Sequence, residues 1–72
     1  MVYNVYMDFA KRLKELRKER NLSQMELATA TKISQSAIAK WELGKTEPTA
    51  SALVVLSEFF GESIEYLLGL ES

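Results

Sequence analysis

Residues Leu22 to Lys45 read LSQMELATATKISQSAIAKWELGK. Two short helical patterns lie in this stretch, each opened by a serine, with only a few residues between them. Ser23-Gln24-Met25-Glu26 has the form of a capping box: the serine side chain accepts the third amide of the helix, and the glutamate reaches back to the serine amide. Ser34 opens the second pattern, Gln35 to Leu43, which Gly44 closes. A tight connection forces two such helices to cross at close range. That crossing needs a small residue in the middle of the first helix, an apolar residue in the turn, and apolar residues on the inner face of the second. Ala28, Ile33, Ile38 and Trp41 fill those positions. Trp41 is therefore expected in the core.

The rest of the chain supplies three further helical patterns and no convincing strand. The first spans about Val5 to Arg20, with Tyr6, Phe9, Ala10, Leu13 and Leu16 at helical spacing and Lys11, Arg12, Lys14 and Lys18 on the other face. Asn4 is its expected cap, and Asn21 ends it in a left-handed conformation. Pro48 breaks the chain after the second short helix. Thr49 caps a fourth pattern whose buried face holds Leu53, Leu56, Phe59 and Phe60, and Gly61 stops it. Ser63 caps a short fifth pattern with Ile64, Leu67 and Leu68, ended by Gly69. The expectation is an all-α, five-helix domain over residues 9–69, with residues 1–8 as a tail or an extension of the first helix. At 72 residues the chain is one domain, and a chain of this size buries only about 60% of its unfolded surface, so its core must be well packed.

Composition narrows the chemistry. There is no cysteine and no histidine, and Asp8 is the single aspartate. A disulfide is impossible, and no zinc ligand set can be assembled at ordinary spacing. Neither a GxGxxG nor a GxxxxGK[ST] phosphate loop is present. No enzyme, no metal and no cofactor are expected. No apolar run approaches a membrane span, and a cytoplasmic protein follows by default. The net charge of −1 is unevenly spread. Residues 1–45 hold all 9 Lys and Arg against five acids, a net +4, whereas residues 46–72 hold five acids and no base, a net −5. A basic front and an acidic back let one face meet phosphate while the other turns away; the plainer reading is two solvated faces.

Two short helices at this spacing are a device for laying the second in the DNA major groove. The outer face of that second helix presents Gln35, Ser36, Ala39 and Lys40. Glutamine can bond adenine N6 and N7 together, lysine can reach guanine O6 and N7, and the small Ser36 and Ala39 allow close approach to a thymine methyl.

The chain resembles the phage repressor and Cro type of helix-turn-helix domain. The likeness is carried by Arg12-Leu13, Leu16-Arg17, Leu22-Ser23-Gln24, Leu27-Ala28, Ile33-Ser34, Ile38, Trp41-Glu42, Gly44-Lys45, Pro48, Leu53 and Leu67-Leu68-Gly69, in order along about 60 of the 72 residues. The resemblance implies sequence-specific binding of double-stranded DNA by a small transcriptional regulator: a repressor, controller or antitoxin, dimeric on a near-palindromic operator. The alternative is a protein-interaction module that reuses the fold without binding DNA, its acidic back docking a partner.

Residue by residue, the resemblance gives Gln24 a phosphate contact and a possible brace on Gln35. Lys45 also falls on a phosphate-contacting position, and Gln35, Ser36, Ala39 and Lys40 fall on base-reading ones. Arg17 and Glu42 resemble a structural ion pair joining the first helix to the end of the third. Lys32 departs from the pattern, standing in the turn where the family often has glycine. Either the turn is reshaped or the lysine is left-handed, at a cost of ~1–2 kcal/mol, with contact to phosphate as its return. Glu62 is a second departure, where the family tends to be apolar. Tyr66 and Leu70 are either dimer contacts or the rim of the fifth helix. The expected dimer surface is the fifth helix with the end of the fourth, helped by the N-terminal tail.

Overall fold

A computed structural model describes residues 5–71, with side chains from residue 7 onward; the expected Asn4 cap and the Tyr6 side chain lie outside the described parts. Five helices follow in order: α1 (Val5–Glu19), α2 (Gln24–Thr31), α3 (Gln35–Glu42), α4 (Ala50–Phe60) and α5 (Ile64–Leu67). No strand occurs among the described residues. Residues 5–8 are part of α1.

Four helices start on the hydroxyl residues that mark them in the sequence. Ser23, Ser34, Thr49 and Ser63 each sit in extended backbone and accept the amide three residues on. Each satisfies one of the amides that a helix start leaves without a partner. At Ser23 the capping box is complete: the Ser23 amide also donates to Glu26 Oε1 at 2.8 Å. The helix ends are equally local. Asn21 (φ 57°) and Gly61 (φ 69°) turn the chain in the left-handed region after α1 and α4.

The core lies where α1 crosses α3 and α5, with α2 packed against α3 and α4. Phe9, Leu13, Leu27, Ile38, Leu56 and Leu67 are fully buried at its centre. Trp41 is in that core, edge-on to Phe9 with ring centroids 5.9 Å apart. Ala28 is buried at the α2–α3 crossing, and Ile33 packs partly buried against the same cluster. In α4 the buried positions are Ala52, Leu56 and Phe60, while Leu53 and Phe59 pack at the edge. The stripe is thus set one position away from Leu53 at its start.

Two arginines tie the ends of the fold together. Arg20 donates to the carbonyls of Phe59 (3.1 Å) and Phe60 (3.0 Å), covering the last turn of α4, where a cation also meets the negative end of the helix. Arg12 lies 4.1 Å over the Tyr66 ring, linking α1 to α5 by a cation–π contact. Gly69 has a left-handed φ of 77°, and a Cβ there would lie 2.7 Å from Asp8 Cβ. The end of α5 therefore seats against α1 only because Gly69 has no side chain.

Candidate nucleic-acid interface

The α2–α3 unit has the geometry that a helix-turn-helix requires. Eight-residue helices flank a turn in which Lys32 is left-handed at φ 60° and ψ 23°. The lysine takes, at a cost, the left-handed conformation that glycine would take freely. Thr31 Oγ1 bonds back to the Leu27 carbonyl at 2.8 Å, closing the last turn of α2.

On α3, Ile38 and Trp41 face inward and are buried. Gln35, Ser36 and Lys40 are exposed, and Ala39 is partly exposed. These four form the outer strip anticipated from spacing. Gln35 has no side-chain hydrogen bond among the described residues. Lys32 and Lys45 are exposed at the two ends of α3, one before Ser34 and one after Gly44. Gln24 is partly exposed at the first position of α2.

The angle of this unit against α1 is fixed by an ion pair. Arg17 Nε donates to Glu42 Oε2 at 2.7 Å and Nη2 to Glu42 Oε1 at 2.8 Å, a two-pronged contact. Nη1 donates to the Leu22 carbonyl at 2.8 Å, which ties in the strand of chain that leads into α2. The Arg17 and Glu42 side chains are 11% and 4% exposed. Burial pushes the Glu42 carboxyl upward, but bonds from Arg17 and Gln24 and the charges of Arg17 and Lys14 outweigh it, leaving the group below its ordinary value. Arg17 is held above its own ordinary value, chiefly by the bond to Glu42.

Gln24 departs from the expected arrangement. Its amide Nε2 donates to Glu42 Oε1 at 3.1 Å, so the brace runs from Gln24 to the ion pair and not to Gln35. Gln24 and Glu42 are 18 residues apart on different helices. No local spacing rule connects them, and only the crossing angle of α2 and α3 brings them together. Arg12, placed on the outer basic face of the first helix, is spent on Tyr66, and Arg20, given no role from the sequence, caps α4. No helix among the described residues is long and apolar enough to cross a membrane.

A helix-turn-helix family model matches residues 13–67. The HTH-type transcriptional activator BcrR of Enterococcus faecalis is 42% identical over 65 residues, which cover 90% of this chain and 32% of that protein. The SPbeta prophage-derived uncharacterized HTH-type transcriptional regulator YonR of Bacillus subtilis is 37% identical over 60 residues, covering 83% of this chain and 56% of YonR. The immunity repressor protein of Bacillus phage phi105 is 32% identical over 66 residues, covering 92% of this chain and 46% of the repressor. The chain therefore spans between about a third and somewhat over half of these curated relatives. No solved structure matches it significantly. The match over residues 13–67 covers α2, α3 and most of the core that holds them, and the chain belongs to the phage repressor and Cro type of helix-turn-helix family.

Proposed function

We propose that this chain binds double-stranded DNA as the sequence-reading part of a transcriptional regulator, with α3 in the major groove. One observation carries the reading furthest. An exposed strip of Gln35, Ser36, Ala39 and Lys40 stands on a helix whose other face is locked into the core. A rigid helix with small and hydrogen-bonding residues outward is what base-edge readout requires. Lys32 and Lys45, exposed before and after α3, and Gln24 at the start of α2 hold phosphates, which set register without reading sequence. The relatives are named as transcriptional regulators, one an activator and one a repressor, which supports DNA-binding regulation and leaves its direction open.

A homodimer on a near-palindromic operator completes the proposal. A single module buries only ~600–1,000 Å² on DNA, and a second copy supplies the remaining affinity. Selection from a random duplex pool, followed by a salt titration on the winning sequence, tests the reading. The selected sites should share a half-site repeated with inverted symmetry. Affinity should fall steeply between about 50 and 200 mM salt as counterions return to the phosphates. A chain that retains no duplex at low salt would instead be a protein-interaction module on this fold.

A further inference from the structure

We propose that Glu42 is a positioning residue for DNA binding: its carboxylate orients the Gln24 amide, so that the one N–H not spent on Glu42 is the donor left for a phosphate. The proposal rests on the reading of the chain as a DNA-binding module. Glu42 Oε1 accepts from both Gln24 Nε2 (3.1 Å) and Arg17 Nη2 (2.8 Å), and Oε2 accepts from Arg17 Nε (2.7 Å). An ionised carboxylate only accepts hydrogen bonds, so the Gln24 amide must turn its NH2 group, not its carbonyl, to Glu42. One of the two N–H bonds is consumed there and the other remains. Without the carboxylate, the amide at the start of α2 would turn between two orientations, one of which sets an oxygen against the phosphate.

Arg17 makes this arrangement workable. A bare carboxylate at the DNA-facing end of α2 would repel the backbone. The guanidinium neutralises it through two bonds, and Lys14 adds a favourable charge. The other carboxylate at this helix end, Glu26, is engaged by the Ser23 amide. Gln24 braces on Glu42, and Gln35 has no side-chain hydrogen bond among the described residues. Holding phosphate and reading bases are therefore separate jobs, and Glu42 serves only the first.

The test uses the full chain, the duplex selected from the random pool, and a temperature at which circular dichroism shows every variant fully folded. Gln24→Ala and Glu42→Gln should each weaken binding about three- to tenfold. The double variant should be no weaker than the worse single variant, since both remove the same contact. Preference among mismatched duplexes should stay unchanged in all three. Phe60→Leu, a core substitution in α4, serves as the stability control and should bind as the parent does. Losses that multiply in the double variant, or wild-type affinity in Glu42→Gln, overturn the positioning role alone. A parent chain that binds no duplex at low salt overturns the DNA reading beneath it. A loss in Phe60→Leu equal to that in Glu42→Gln also overturns the proposal, because the effect would then follow stability and not orientation.

Discussion

Arg17 and Glu42 place two charges out of water, and such a pair holds only while both members are present. Among the described residues no buried side-chain nitrogen or oxygen lacks a hydrogen-bond partner, so the pair is fully served. Glu42→Ala would leave the guanidinium buried and unpaired. The expected loss is ~3–5 kcal/mol, read as a lower urea midpoint, and a change under about 0.5 kcal/mol would reject the brace. The same pair sets a pH dependence. The folded-state Glu42 value lies below the unfolded one, so its contribution is complete above the ordinary value of 4.5 and fades as pH falls through the folded value. Urea midpoints from pH 7 down to pH 3 should show the gap between parent and Glu42→Gln shrinking on the acid side. A gap that stays constant would mean the charge contributes nothing. Gln35 carries the specificity prediction at this scale. Gln35→Ala should cost ~1–3 kcal/mol on the selected site and relax preference at one base pair. Equal weakening on random DNA would move Gln35 from the base-reading set to the phosphate set.

At the scale of elements, helix starts were legible in the sequence and helix faces less so. Ser23, Ser34, Thr49 and Ser63 mark their helices because a hydroxyl three residues before an amide is a local arrangement, independent of the rest of the fold. The phase of α4 was harder to read. Its first seven residues, Ala50 to Leu56, include only one polar residue, Ser51, so nothing in the pattern chooses Ala52 over Leu53 for the core. The Gln24–Glu42 bond and the Arg20 cap on α4 were not legible, because both depend on where separate helices cross. Lys32 left two alternatives open, and the structure resolves them with a left-handed lysine. Lys32→Gly should therefore stabilise the fold by about 0.5–1 kcal/mol, the strain relieved less the chain entropy that glycine adds. The same substitution should weaken DNA binding. A stability gain with undiminished affinity would remove Lys32 from the phosphate contacts. Gly69→Ala goes the other way. Its left-handed φ and the 2.7 Å approach to Asp8 Cβ leave no room for a methyl group, and α5 would be levered away from α1. A loss of ~1–3 kcal/mol in urea unfolding is expected, and a neutral effect would mean that the α1–α5 contact is soft.

For the whole molecule, the proposed function raises the question of how a chain of net charge −1 would hold a polyanion. Affinity for DNA depends on the charges that reach phosphate, because those alone release counterions, whereas the total charge acts weakly across screened distance. All nine basic residues lie in the first 45 positions, which contain α1, α2 and α3, and the five acids after them lie beyond α3. The salt dependence should therefore respond to one half of the chain only. Lys45→Ala should weaken all sequences nearly alike and flatten the slope of log affinity against log salt by about one unit per protomer. Glu58→Gln and Glu65→Gln, both at exposed positions in the acidic half, should leave that slope within error of the parent. If the acidic substitutions steepen the slope as much as Lys45→Ala flattens it, DNA is sensing net charge and the division into faces has no role. Two copies bound together should also double the effect of Lys45→Ala and place their third helices ~34–36 Å apart, one turn of DNA. Adding five base pairs between the selected half-sites would then turn one half-site to the opposite side of the duplex and reduce binding to that of a single module. Undiminished affinity on the lengthened site would mean that each copy binds on its own.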